Sequence, residues 1–247
     1  MNISSESFQI EGSVASPAGL SKNEVHVWRI DLETVSVAEE RWRTLLSPDE
    51  RGRAERFRFP QHRQYFTATR ALLRTLLGAY LSANSGELVF RYTAREKPFL
   101  SAGFSGDRIE FNVSHSGGVA LMAFAQGRAL GVDVEQVREQ ADHEAIARRF
   151  FSENEQHQLA AVGAPERHLA FFRCWTRKEA YIKATGDGLS LPLQDFDVSV
   201  DAASGNALLS TRPDPKEALR WSLRDLAAGD GYVAALCVEG QGWKLRI

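Results

Sequence analysis

The chain has 247 residues, 43% of them apolar and 25% charged, with a formal net charge of −2. That is enough for one large domain or two small ones with an ordinary core, so neither a metal nor a disulfide is needed for folding. The charge gives no global argument for nucleic acid or an anionic membrane, so a basic substrate site must be local. Its two cysteines, Cys174 and Cys237, form no CxxC motif and are expected as buried free thiols in a reducing compartment. Residues 1–23 are Ser/Gly/Pro-rich and carry acids rather than an early basic cluster and apolar run, unlike a signal peptide. With no run of 18 apolar residues, a cytoplasmic location without a membrane partner is expected.

The β-branched and aromatic content of Val25–Leu32 predicts a first strand. Ser47-Pro48-Asp49-Glu50 reads as a helix start, with Ser as N-cap, Pro at the first position and acids in the first turn. A second helix is predicted over about 61–81. Short strands follow at Leu88–Tyr92, Ile109–Val113, Val119–Ala125 and Ala129–Val137, with Lys97-Pro98 extended or turning. The close spacing around Gln126-Gly127-Arg128 predicts an antiparallel hairpin. Helices are expected over 142–150 and 152–183, broken near Gly163-Ala164-Pro165. Strands return at Phe196–Val200, Ala207–Ser210, Trp221–Leu226 and Tyr232–Val238.

A faint internal repeat runs through this order. His62-x-x-Tyr65-Phe66 and His168-x-x-Phe171-Phe172 are 106 residues apart, as are the strands from Val25 and Gly131. Two related halves, 23–127 and 128–247, are expected after an N-terminal extension of 1–22, with a ligand at their interface.

Three carboxylates carry the chemistry. In Gly131-Val132-Asp133-Val134-Glu135, strand alternation puts Asp133 and Glu135 on one face and Leu130, Val132 and Val134 on the other. Glu179 interrupts the helical stripe of Phe171, Trp175 and Ile182. Three hard oxygen ligands with an open side suit Mg²⁺ shared with a substrate phosphate. Each segment alone also has a plainer reading. The acid pair suits a sheet with one solvated face, and Glu179 suits an ion pair with Lys183 one turn on. Asn112-x-Ser114-His115-Ser116-Gly117 ends a strand in groups that can bind phosphate, or simply turns the chain. The arginines from Arg51 to Arg58, extended by Arg70 and Arg74, suit either an anion cradle or a solvated face. No glycine-rich phosphate loop, HExxH or GxSxG is present.

Taken together, the pieces resemble the Sfp-type 4′-phosphopantetheinyl transferases. The motifs are Gly131–Glu135, Trp175-Thr176-Arg177-Lys178-Glu179-Ala180-Tyr181-Ile182-Lys183, Lys97-Pro98, Asn112–Ser116 and Ser47-Pro48-Asp49-Glu50-Arg51-x-Arg53, spanning about 45–190. The resemblance implies an α+β fold of two pseudo-symmetric α/β halves with the active site between them. It implies transfer of the phosphopantetheine arm of coenzyme A to a serine of an apo acyl or peptidyl carrier protein. The second product is adenosine 3′,5′-bisphosphate. By this similarity Asp133, Glu135 and Glu179 hold Mg²⁺, and Glu179 and Lys183 are catalytic, as base and as charge stabiliser. Arg53, Arg70, Lys97, Asn112, Ser114 and His115 are expected to bind coenzyme A. Glu50 departs from the pattern, standing where some relatives carry a base. Carriers of fatty acid, polyketide and nonribosomal peptide synthesis share an acidic surface, so arginines of 41–58 are docking candidates. A monomer is expected, since its two halves can form one site. The rival readings are another Mg²⁺-dependent nucleotide phosphohydrolase and a non-catalytic carrier-binding module.

Overall fold

The protein is described by a computed structural model at residues 2–3, 19–35, 39–95, 97–101, 103, 109–138, 143–186, 188–201 and 205–247. Most of the expected N-terminal extension lies outside these residues. Within it, strand β1 (Asn2–Ile3) runs parallel to β2 (Glu24–Asp31). Short helices α1 (Leu32–Val35), α2 (Glu39–Arg43) and α3 (Pro48–Glu55) lead to the long α4 (Pro60–Leu81). A hairpin of β3 (Phe90–Tyr92) and β4 (Pro98–Leu100) precedes β5 (Ile109–Ser116) and β6 (Val119–Gln126). The second half runs through β7 (Leu130–Gln136), α5 (His143–Phe150), α6 (Glu153–Ala161) and α7 (Ala164–Thr185). It ends in β8 (Phe196–Val198), β9 (Leu208–Thr211), β10 (Trp221–Leu226), β11 (Tyr232–Glu239) and β12 (Lys244–Arg246).

The repeat is real in topology. The first sheet contains the antiparallel run β2-β6-β5, edged by β1 and β12 parallel to β2, and the second is the antiparallel run β7-β11-β10. In each three-stranded run the strand that comes first in the chain pairs with the one that comes last, and that one with the strand before it. Both long helices have 22 residues, begin with proline in the first turn and end on a left-handed residue, Ser82 or Gly186. The halves also exchange an end, because β12 returns to pair with β2 in the first sheet.

Side-chain alternation builds three cores. On β6, Ala120, Met122 and Phe124 face Leu72, Leu73, Leu76 and Leu77 of α4. The other β6 face (Val119, Leu121, Ala123 and Ala125) meets Val132 and Val134 of β7 and Leu236 of β11. The opposite face of β11, with Val233, Ala235 and Cys237, packs with Phe171, Tyr181 and Ile182 of α7. The layers are helix, sheet, sheet, helix, and each buried Val or Leu contributes about 1.5–3 kcal/mol.

One pairing departs from expectation. The hairpin is β5–β6, turning at Gly117-Gly118, whereas β6 and β7 do not pair. Gly127, at φ +64°, instead passes the chain into the second sheet, where β7 finds β11. Strand β5 also continues through the Ser114-His115-Ser116 segment read as a turn. Both cysteines are buried and free. No described helix is long and apolar enough to cross a membrane.

Candidate active site

The site forms where α7 crosses β7. A Cβ at Gly131 would lie 2.2 Å from the Ala180 carbonyl oxygen and 2.4 Å from the Ala184 nitrogen. Only glycine permits that approach, which brings the Glu179–Lys183 turn of the helix over the strand. Two buried cations anchor α7. Arg177 makes a bidentate pair with Asp225, at 2.8 and 2.7 Å, and donates to the Ser199 and Asp201 carbonyls. Lys178 pairs with Glu155 at 2.8 Å and donates to the Leu193 and Phe196 carbonyls. Sequence reading had no structural role for either. Both look like solvated charges, yet they have no solvent exposure and no reach toward the carboxylates.

Asp133 is buried. Its Oδ1 accepts from Lys183 Nζ at 2.6 Å and from Ser114 Oγ at 2.8 Å, while Oδ2 has no partner. Lys183 thus gives its ammonium to Asp133, not to Glu179 one turn before it. Glu135 is half-buried, and its Oε2 accepts from Ser116 Oγ at 2.6 Å. Burial pushes the Glu135 carboxyl up; the Ser116 hydrogen bond opposes this and the charge on Asp133 adds to it. Burial likewise raises Glu179, with Lys183 opposing and Asp133 and Glu135 adding. Glu135 and Glu179 therefore feel the negative charge beside them in a partly dry site.

As they stand, no three His, Cys, Asp or Glu side chains among the described residues are grouped closely enough to hold a metal ion. The donor chemistry nonetheless fits a hard divalent cation. The set is all oxygen, two acids are raised by burial and neighbouring negative charge, and one buried carboxylate oxygen is orphaned.

The residues expected to bind coenzyme A divide between two cavities flanking β5, with Pro98 and Val113 lining both. The larger, about 750 Å³, gathers Arg53, Arg70 and His115 with His62 and Phe66. The smaller, about 510 Å³, gathers Lys97 and Asn112 with Arg95, Glu179 and Lys183. Ser114 is buried on Asp133 and lines neither. Lys97 Nζ donates to the Leu130 and Lys183 carbonyls, at 3.2 and 2.6 Å, bracing β4 against β7 and α7. The Asn112 side-chain oxygen accepts from the Val132 N–H at 2.9 Å, closing the open edge of the second sheet.

The basic cradle is narrower than its arginines suggest. Glu50 is buried and pairs with Arg70 at 3.3 Å and with Arg74 at 2.6 Å. Arg74 also donates to the Ser85 and Leu88 carbonyls, which makes it a packing residue rather than an anion ligand. Burial lowers the Arg70 pKa, with Tyr92 and Glu50 opposing. Arg51 donates to the Leu46 carbonyl, while Arg53 is exposed and lies over the Phe66 ring at 5.6 Å.

Comparison with known families agrees with this layout. Residues 129–237 match the 4′-phosphopantetheinyl transferase superfamily, and residues 36–127 match the N-terminal region of 4′-phosphopantetheinyl transferases. The chain is 40% identical over 225 residues to the 4′-phosphopantetheinyl transferase HetI of Nostoc sp., covering 91% of this chain and 92% of HetI. A phosphopantetheinyl transferase of Thraustochytrium sp. is 30% identical over 78% of this chain and 70% of its own. Sfp of Bacillus subtilis is 30% identical over 64% of this chain and 68% of its own. With both regions matched and HetI 40% identical over 91% of this chain, the chain belongs to the 4′-phosphopantetheinyl transferase superfamily.

Proposed function

We propose that Asp133, Glu135 and Glu179 jointly hold Mg²⁺ against the pyrophosphate of coenzyme A, and that Glu179 and Lys183 carry the transfer. The enzyme moves the 4′-phosphopantetheine arm to a serine of an apo carrier protein, releasing adenosine 3′,5′-bisphosphate. The observation that carries the metal reading is the orphaned, buried Asp133 Oδ2 at the α7–β7 crossing, beside two acids that burial and neighbouring negative charge raise. Mg²⁺, when bound, neutralises charge on the attacked phosphate and its leaving group. Glu179 has a raised pKa suited to accepting the serine proton. Lys183 Nζ stands at Asp133 and, on leaving it, stabilises charge developing on the phosphates. Arg53, Arg70 and His115 hold the 3′-phosphate region from the larger cavity, and Lys97 lies near the nucleotide. Ser114 and Asn112 serve through Asp133 and the strand edge.

On this reading the halves 23–127 and 128–247 form one site within a monomer. It acts in the cytoplasm on coenzyme A and carrier proteins, with no nucleic-acid or membrane partner. The test is a product analysis with coenzyme A, Mg²⁺ and an apo carrier. The carrier gains one arm and the bisphosphate appears in equal amount; removing Mg²⁺ stops both. Release of phosphopantetheine without a carrier would instead mark a hydrolase.

A further inference from the structure

Two serines of β5 meet two acids of β7 in step. Ser114 Oγ donates to Asp133 and Ser116 Oγ to Glu135, so residues two apart on one strand face residues two apart on the other. The two hydroxyls differ in their anchorage. The Ser114 oxygen accepts from Lys183 Nζ at 3.1 Å, a side chain able to swing away. The Ser116 oxygen accepts from the backbone N–H of Gln136 at 3.1 Å, on the residue that follows Glu135. A hydroxyl carries a single proton. With the Gln136 N–H occupying an acceptor position, that proton goes to Glu135 Oε2. Ser116 therefore clamps Glu135 to its own strand, independently of any side chain that can move.

We propose that Ser116 is a positioning residue for the divalent cation: its hydroxyl fixes Glu135 Oε2 and leaves Oε1 to the metal. The inference rests on the metal reading above. It assigns Ser116 no contact with coenzyme A, although Ser116 lines the larger cavity.

The experiment is Mn²⁺ binding to the full chain, followed by electron paramagnetic resonance with saturating coenzyme A and no carrier. Coenzyme A affinity and melting temperature are measured beside it. Partners that orient metal ligands typically change metal affinity 10–100-fold, so Ser116→Ala should weaken Mn²⁺ binding about tenfold while coenzyme A affinity measured without metal stays unchanged. Ser116→Thr keeps the hydroxyl and should restore binding. In the Glu135→Ala background, Ser116→Ala should add nothing. If the alanine variant does not fold, Ser116→Cys takes its place with the same expectation. Wild-type Mn²⁺ affinity in Ser116→Ala, equal loss in Ser116→Thr, or an undiminished effect without Glu135 overturns the proposal. Wild-type Mn²⁺ affinity in both Asp133→Ala and Glu135→Ala would overturn the metal reading itself, a different result.

Discussion

Gly131 lies directly beneath Ala180: a Cβ on the glycine would come within 2.2 Å of the alanine's carbonyl oxygen. Backbone, not a flexible tip, blocks the added carbon, so α7 would have to lift from β7. Overpacking of this kind costs about 1–3 kcal/mol or more. Gly131→Ala is expected to lower stability by at least that much in urea unfolding. It should reduce carrier loading further than stability alone explains, because Glu179 and Lys183 move away from Asp133. Unchanged stability would mean that the helix and strand are not in contact here.

Asn112 tests whether a residue of the coenzyme A motif acts on the fold instead. Its side-chain oxygen is the acceptor for the buried Val132 N–H. Asn112→Ala orphans that donor and should cost about 1–3 kcal/mol. Asn112→Asp keeps the acceptor and should cost less. The KM for coenzyme A in the folded alanine variant should stay near the wild-type value. A large rise in KM without loss of stability would return Asn112 to the list of coenzyme A ligands.

Lys178 stands next to Glu179 in sequence yet pairs with Glu155, both side chains being fully buried. Lys178→Met leaves an unpaired buried carboxylate and should destabilise by about 3–5 kcal/mol. Glu155→Gln combined with it should recover part of the loss. If Lys178→Met removes activity at wild-type stability, the lysine serves the phosphates after all.

Asp197 sets an acid limit on stability. Burial opposes its ionisation, but hydrogen bonds from Arg212, Ser152 and Ser210 outweigh this and hold its pKa at about 2. The folded pKa lies below the unfolded one, so the stabilisation is present above about pH 4 and is lost as pH falls toward 2. Asp197→Asn should cost about 2 kcal/mol at pH 7, and its gap from wild type should narrow below pH 4. A gap independent of pH would show that the carboxylate charge contributes nothing.

The elements were legible wherever a period carried them. The two long helices lie close to their predicted limits, and alternation alone put Asp133 and Glu135 on one strand face. Long-range choices were not legible. The short turn at Gly127 reads as a hairpin, but the partner of Leu130 is Val238, far along the chain. Lys183 sits at the favourable spacing for Glu179 and still bonds Asp133, since the tertiary crossing brings a more buried acid within reach. Arg177, Lys178 and Arg74 carry the composition of a solvated face. Their partners Asp225, Glu155 and Glu50 lie on other elements, so nothing local marks them as buried. Ser116 left a trace that could have been read: it repeats Ser114 at the same two-residue step that separates Asp133 from Glu135.

Mass spectrometry of an apo carrier after incubation with coenzyme A and Mg²⁺ tests the central claim most directly, comparing wild type with Asp133→Ala and Glu179→Ala at matched melting temperature. The wild-type enzyme should add one phosphopantetheine arm to the carrier, while both variants, folded, should leave it at its starting mass. Loading at the wild-type rate by either variant would contradict the assignment of these carboxylates to the transfer.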